Sequence, residues 1–273
     1  MILVTGANGN LGSATLAALR AGGAAGTGAS RTPGQGTRHL DFDDPASLDL
    51  TGVSTLVLVS AGYGEDDLVV GRHAAVLDAA VRDGVGHVVY TSLTTAGDHL
   101  AFALAHRATE RLVQASGLPW TILRNGLYAE LFGGLLMWTD DGLESAFGDG
   151  AVAAVARQDL ADAAAAVATD PARHKGQVYD LVGTPITAGQ VADRLGVPHR
   201  TIGLGEYRNR LLDEKSGLLP FQPPMLASIA TGIRHGFLDG TAPDLTDLLG
   251  RPAQDPLAVA FAAASAIRPK ANV

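Results

Sequence analysis

Three glycines near the N-terminus are spaced for phosphate binding. Gly6, Gly9 and Gly12 lie in the run Thr5-Gly6-Ala7-Asn8-Gly9-Asn10-Leu11-Gly12, directly after the apolar Ile2-Leu3-Val4 and before an Ala/Leu-rich stretch that stops at Gly22-Gly23. A strand, a tight turn and a helix start, in that order, make a pyrophosphate site. Gly6 permits the turn, Gly9 lets the backbone approach phosphate, and Gly12 lets helix and strand pack closely. The unpaired amides of the helix start add the positive end of the helix dipole. Thr5, Asn8, Asn10 and Leu11 complete the candidate cofactor loop. With 34 glycines in the chain, spacing alone would say little; the position between a strand and a helix carries the signal.

Other residues able to do chemistry stand at the ends of apolar runs, where an open α/β sheet binds its ligands. Arg31 follows Gly26–Ser30. A basic residue there suits a 2′-phosphate, whereas an acid would suit the ribose hydroxyls of NAD; Ser30 is its helper, and a solvated surface arginine is the alternative. Ser60, Ala61 and Gly62 end the run Thr55–Ser60 and are small enough to let a ribose and pyrophosphate come close. Tyr63 either covers the reacting ring or is an exposed loop residue. Thr91 and Ser92 end His87–Ser92. Tyr90 is followed four residues later by Thr94, so no Tyr-x-x-x-Lys pair is present to protonate a carbonyl, which disfavours ordinary alcohol dehydrogenase chemistry. His106 and Glu110 share one helix face. His106 either contacts cofactor or substrate or is a structural partner of Glu110. Asn125 and Tyr128 stand where the chain leaves the sheet. Ser92, His106 and Tyr128 are the candidate catalytic residues, and Tyr63, Asn125 and Tyr128 the candidate substrate contacts. Leu131, Phe132, Met137, Trp138 and Phe147 read as core of a smaller lobe.

The elements that must position these residues alternate as strand and helix. After Thr55–Ser60 come a helix over 68–82, a strand over 87–92, a helix over 101–116 stopped by Gly117 and Pro119, and a strand over 120–124. Further on, 158–168 reads as a helix, 177–182 as a strand, and Thr187 caps a helix ending at Gly196. Helices follow over 206–213, 225–234 and 243–249. The expected architecture is α/β: a Rossmann-type doubly wound parallel sheet with a smaller, mostly helical C-terminal lobe. Residues 1–126 with 151–182 form the dinucleotide-binding part, and 127–150 with 183–273 the substrate lobe.

The fingerprint Thr5-Gly6-Ala7-x-Gly9-x-Leu11-Gly12 resembles that of atypical short-chain dehydrogenases. Several further motifs resemble their NmrA-like branch: His73-x-x-Val76-x-x-Ala79-Ala80, Val89-Tyr90-Thr91-Ser92, His106-x-x-x-Glu110, Ser116 to Gly126 with Tyr128 and Glu130, Arg157-x-Asp159-Leu160-Ala161, and Gly176-x-Val178-Tyr179-x-Leu181. Within that branch the chain is similar to the bacterial NADPH:quinone oxidoreductase type 2 subgroup. The resemblance covers most of the first 190 residues and continues loosely in Leu248-Leu249-Gly250-Arg251-Pro252. It implies an NADPH site, a cleft between two lobes, hydride transfer to a quinone, and neither flavin nor metal. It also implies that Asp41 and Phe42 lie beside the adenine, although Asp41 can equally begin a turn. In the family a helix and a strand separate the arginine from this acid. Residues 31–41 are too short for both, so the adenine-side wall is expected to be open or rebuilt.

Composition narrows the classes. A net charge of −8 argues against broad nucleic-acid binding, and the absence of Cys excludes disulfides and thiolate metal sites. No apolar run is long enough to span a bilayer, and the N-terminus enters a strand without a signal-peptide pattern, so a cytoplasmic monomer or homodimer is expected. A quinone accepts hydride through orientation alone, with protons from water. The rival reading is a non-catalytic NADP(H)-binding redox sensor acting through a protein partner, since fold does not fix function.

Overall fold

The computed structural model describes residues 1–32, 34, 36–61 and 64–269. Strand β1 (Ile2–Val4) leads through the glycine turn into helix α1 (Asn10–Ala21), and β2 (Gly26–Ser30) and β3 (Thr37–His39) follow. Then come β4 (Thr55–Val59), α2 (Asp66–Arg82), β5 (His87–Leu93), α3 (Ala103–Ala115) and β6 (Trp120–Asn125). The chain next forms α4 (Ala129–Gly134), the short strands β7 (Met137–Thr139), β8 (Gly142–Ser145) and β9 (Ala151–Ala153), and helix α5 (Arg157–Thr169). Strands β10 (Gln177–Leu181) and β11 (Pro185–Thr187) precede α6 (Ala188–Leu195) and β12 (His199–Thr201). The last four helices are α7 (Leu204–Leu211), α8 (Gln222–Arg234), α9 (Asp244–Leu249) and α10 (Pro256–Ala266).

Seven strands form one sheet in the order β10-β6-β5-β4-β1-β2-β3, and every neighbouring pair is parallel. This is the expected doubly wound sheet. The order reverses direction between β1 and β4, which opens a crevice at their carboxyl ends. A parallel sheet covered on both faces reads as unbroken apolar runs, and β4 and β5 are buried along almost their whole lengths. On one face Val76, Leu77, Ala80 and Val113 from α2 and α3 meet Leu56, Leu58, Val88 and Tyr90. On the other, Leu11, Leu16 and Leu19 of α1 meet Leu160, Ala164 and Val167 of α5 over Val4, Val57 and Val89.

A second core gathers the rest. Phe132 and Phe147 stack at 5.3 Å within it, joined by Leu136, Val191, Ile202, Tyr207, Ile229 and Ile233. Met137 and Trp138 pack against the same core, while Leu131 also reaches a cavity described below. This region holds more strand than expected: β7, β8 and β12 form one small sheet and β9 and β11 another. The capping box of Thr187 with Gln190, and Gly196 in the left-handed region, bound α6 as expected from sequence. Helix α9 turns back to the large sheet, where Leu245 joins the α1–α5 core and Asp244 accepts a hydrogen bond from the Asp180 amide at 2.8 Å.

The expectation that residues 31–41 cannot hold both a helix and a strand is borne out: β3 forms there and pairs Gly28–Ser30 with Thr37–His39. Only residues 31–36 link β2 to β3, so the crossover helix is what the shortening removes.

Candidate active site

The glycine turn has the geometry its sequence demands. Gly6 adopts φ +63°, and a Cβ at Gly12 would overlap the carbonyls of Gly6 and Thr5. Gly12 is therefore what lets α1 start against the end of β1. The Gly9 amide closes the turn on the Gly6 carbonyl at 2.8 Å. A cavity of about 420 Å³ opens beside it, lined by Gly6, Asn8, Gly9, Ser30, Arg31, Asp41, Phe42, Ser60 and Ala61 among others. Asn8 Nδ2 donates to Ser30 Oγ at 2.8 Å and to the Thr32 carbonyl at 2.9 Å, tying the glycine loop to the end of β2. Asp41 lines this cavity and also builds a turn, since its Oδ1 accepts from the Asp43 amide at 3.0 Å. The turn reading of Asp41 therefore holds, on the wall of this cavity.

A second cavity of about 220 Å³ adjoins the first, with Val59 and Ser60 lining both. Leu11, Thr91, Ser92, His106, Asn125 and Tyr128 line it, together with Phe102 and the lobe residues Leu131, Met225 and Ile229. No sequence motif marks Phe102, Met225 or Ile229 as cavity residues. Ser60 Oγ and Asn125 Oδ1 are buried without a hydrogen-bonding partner. Buried polar atoms are nearly always satisfied, so two orphans on one cavity wall are groups poised for a polar ligand.

Not every candidate reaches a cavity. Thr5 is 1% exposed; its Oγ1 accepts from the Val59 amide at 2.9 Å and holds β4 in place. Gly12 shapes the turn, and Asn10 opens α1 without lining either space. Thr91 lines the smaller cavity, but its Oγ1 accepts from the Ser60 amide at 3.0 Å. Gly62 and Tyr63 lie outside the described residues.

The hydroxyl of Ser92 is committed elsewhere. It donates to Glu110 Oε1 at 2.6 Å. Glu110 also pairs with Arg107 at 2.8 Å and with Arg124 at 2.7 Å, and hydrogen bonds from Arg124 and Ser92 hold its carboxyl below the usual range against the opposing pull of burial. The alternative of a His106–Glu110 pair is therefore not what the fold builds, because two arginines and a serine take up the carboxylate. His106 instead places Nδ1 3.0 Å from the Tyr90 hydroxyl. Burial, helped by the Arg107 charge, pushes His106 down to about 4, and burial pushes the Tyr90 phenol far upward. Both are neutral at neutral pH.

Behind them His73, fully buried, bridges two elements. Its Nε2 accepts from the Ala61 amide at 2.9 Å, and Nδ1 lies 2.8 Å from Thr109 Oγ1, whose proton goes to the Ala105 carbonyl. His73 is thus the neutral Nδ1–H tautomer, and burial pushes it down to about 3. It positions Ala61 at the sheet edge. Tyr128 packs under the guanidinium of Arg157, 5.0 Å from its ring centre, and burial raises its phenol. Glu130 accepts from the Arg157 amide at 3.2 Å and so caps α5. The Arg157-x-Asp159 and Arg251 motifs meet in space, with Arg251 2.8 Å from the buried Asp159.

Among the described residues no group of three or more His, Asp and Glu side chains is placed to hold a metal ion, and no helix is long and apolar enough to cross a membrane. Residues 6–171 match the model of a family described as NAD(P)H-binding. Quinone oxidoreductase 2 of Escherichia coli (strain K12) is 32% identical over 278 residues, covering 92% of this chain and 94% of that protein. The structure of an NADPH-dependent quinone oxidoreductase from Escherichia coli complexed with NADPH superposes with TM-score 0.83 at 29% identity, covering 98% of this chain and 100% of the other. The Citrobacter sp. triphenylmethane reductase complexed with NADP(H) gives TM-score 0.84 at 29% identity, with 97% and 100% covered. The chain belongs to this NAD(P)H-binding family.

Proposed function

We propose that the protein is an NADPH-dependent reductase of a quinone or a similar flat, electron-poor acceptor. The observation that carries this reading is the pair of adjoining cavities along the carboxyl edge of the sheet, one bearing arginine side chains, the other mainly apolar with two orphaned polar atoms on its wall. The Escherichia coli relatives, named for quinone reduction with NADPH, support the same acceptor and cofactor.

The residues fit the dinucleotide. Gly6, Asn8 and Gly9 with the start of α1 take the pyrophosphate, and Arg31 with Ser30 takes the 2′-phosphate. Ser60 Oγ and Asn125 Oδ1 supply the polar contacts that the nicotinamide half needs. When bound, NADPH supplies the hydride.

The remaining chemistry belongs to the protein. This reading takes the Tyr90 phenol, which keeps its proton, as the donor to His106 Nδ1, so that Nε2 is the protonated nitrogen. His106 then donates a hydrogen bond to a carbonyl oxygen of the acceptor and stabilises the negative charge that develops there. It remains neutral throughout, and water supplies the proton that completes the hydroquinone. Tyr128, Leu131, Phe102, Met225 and Ile229 hold the acceptor's apolar faces and exclude solvent. Ser92 acts through Glu110 as a positioning residue. Catalysis comes mostly from orientation, in keeping with the lack of a Tyr-x-x-x-Lys pair.

The test is stoichiometric: purified protein, NADPH and a benzoquinone, with hydroquinone and NADP quantified together. Equal amounts of both products, formed faster than in the protein-free control, are expected. NADPH binding without product would oppose the reductase reading and favour a sensor.

A further inference from the structure

Strands β2 and β3 run parallel although only residues 31–36 join them. A parallel connection ordinarily takes a dozen residues or more, usually including a helix that covers the sheet next to the ligand. Here that cover is missing from the edge where Arg31, Asp41 and Phe42 line the larger cavity. A side chain from a distant element stands in its place. Arg72, on α2, reaches the segment after β3 and grips Asp43 with both arms, Nε to Oδ1 and Nη2 to Oδ2, each at 2.6 Å. Arg72 and Asp43 both line the cavity, and the Arg72 side chain is only 16% exposed. Gly64, just before α2, approaches from another side, since a Cβ there would stand 3.4 Å from Arg72 Nη1.

We propose that the Arg72–Asp43 ion pair is the adenine-side wall of the cofactor cavity, replacing the lost crossover helix, and that it sets affinity for the base of the dinucleotide. The proposal rests on the NADPH reading above. Two parallel hydrogen bonds fix the plane of the guanidinium. A flat, delocalised, weakly hydrated cation is suited to the face of a purine. Because Asp43 offsets its charge, Arg72 offers the ligand a surface rather than a net charge. Arg31, which also lines the cavity, carries the charge that would read a phosphate. Recognition of base and phosphate is thus divided between two arginines, and the two can be separated by experiment. Adenine is common to NADPH and NADH; the 2′-phosphate is not.

The test is equilibrium binding of NADPH, NADH and reduced nicotinamide mononucleotide to the full chain and to Arg72→Gln and Asp43→Asn. Asp43 is 45% exposed, so the pair stays in contact with water, and the melting temperature of each variant is measured first to show that the fold is retained. Each variant is expected to weaken NADH, which lacks the 2′-phosphate, about tenfold, to weaken NADPH as well, and to leave the mononucleotide unchanged. Loss confined to NADPH would overturn the proposal by making Arg72 a phosphate contact. Unchanged dinucleotide binding, or equal weakening of the mononucleotide, would overturn it as well. Failure of the unaltered chain to bind either dinucleotide would instead remove the cofactor reading, and this proposal with it.

Discussion

The Tyr90 hydroxyl lies 3.0 Å from Nδ1 of His106, with the phenol wholly buried and the imidazole on the wall of the smaller cavity. Residues sixteen apart in sequence, on β5 and α3, thereby form one polar unit whose His106 reaches the smaller cavity. Removing the phenol oxygen should free Nδ1 and randomise the tautomer. Tyr90→Phe is expected to lower kcat for a benzoquinone about tenfold with little change in KM, and His106→Ala to lower it about a hundredfold, consistent with loss of one oriented donor. Steady-state kinetics of both variants at saturating NADPH checks this. Unaltered kcat in His106→Ala would remove His106 from the chemistry.

The pH profile follows from the same burial. His106 is held down to about 4 from an ordinary 6.5, so its neutral form persists throughout the range between. The rate of quinone reduction should show no inflection near 6.5. A step at that pH, lost in His106→Ala, would mean that the imidazole titrates as an exposed one.

Stability should fall with acid for a related reason. His73 is pushed from 6.5 to about 3 in the folded chain. The unfolded chain therefore binds the extra proton first, and stability is lost as pH drops from 6.5 towards 3 and is fully present above 6.5. At about pH 5 this one group accounts for roughly 2 kcal/mol. Urea unfolding of the parent and of His73→Gln at about pH 5 and pH 7.5 tests it: the variant should be less stable at the higher pH yet lose less on acidification. Equal pH slopes would contradict the assignment.

How much of this was legible beforehand depends on the kind of signal. The glycine turn, the β4, β5 and β6 runs and the carboxyl-edge residues Ser60, Thr91 and Asn125 are local patterns, and they stand where sequence places them. The partners of Glu110 were not legible. Its helix neighbour His106 was the obvious candidate, but Arg124 from β6 and Ser92 from β5 reach it only because the sheet register brings them there. Arg72 carries no signal in the sequence, and His73 stands out only as the first residue of a motif, with no partner indicated. Their roles depend on Asp43 and Ala61, which sequence separation hides. Met225 and Ile229 reach the cavity from α8, a helix whose docking no motif announces.

The Glu110 cluster should matter to stability more than to affinity. The side chain is 5% exposed and holds two guanidinium groups. Glu110→Ala takes the carboxylate from both, leaving Arg107 with Asp98 as its remaining partner and Arg124 partly buried without this ion pair, and should cost about 3 kcal/mol. Thermal or urea unfolding reads this directly, and a loss below about 1 kcal/mol would show that water replaces the carboxylate.

Cofactor choice tests the central claim most directly. The measurement is kcat/KM for NADPH and for NADH during benzoquinone reduction, in the parent and in Arg31→Ala, each corrected for the uncatalysed reaction. Turnover preferring NADPH is expected, with the preference reduced about ten- to a hundredfold in Arg31→Ala, as for one charge-assisted phosphate contact. Quinone-dependent turnover with no preference between the cofactors, or none with either under conditions of confirmed binding, would contradict an NADPH-dependent quinone reductase.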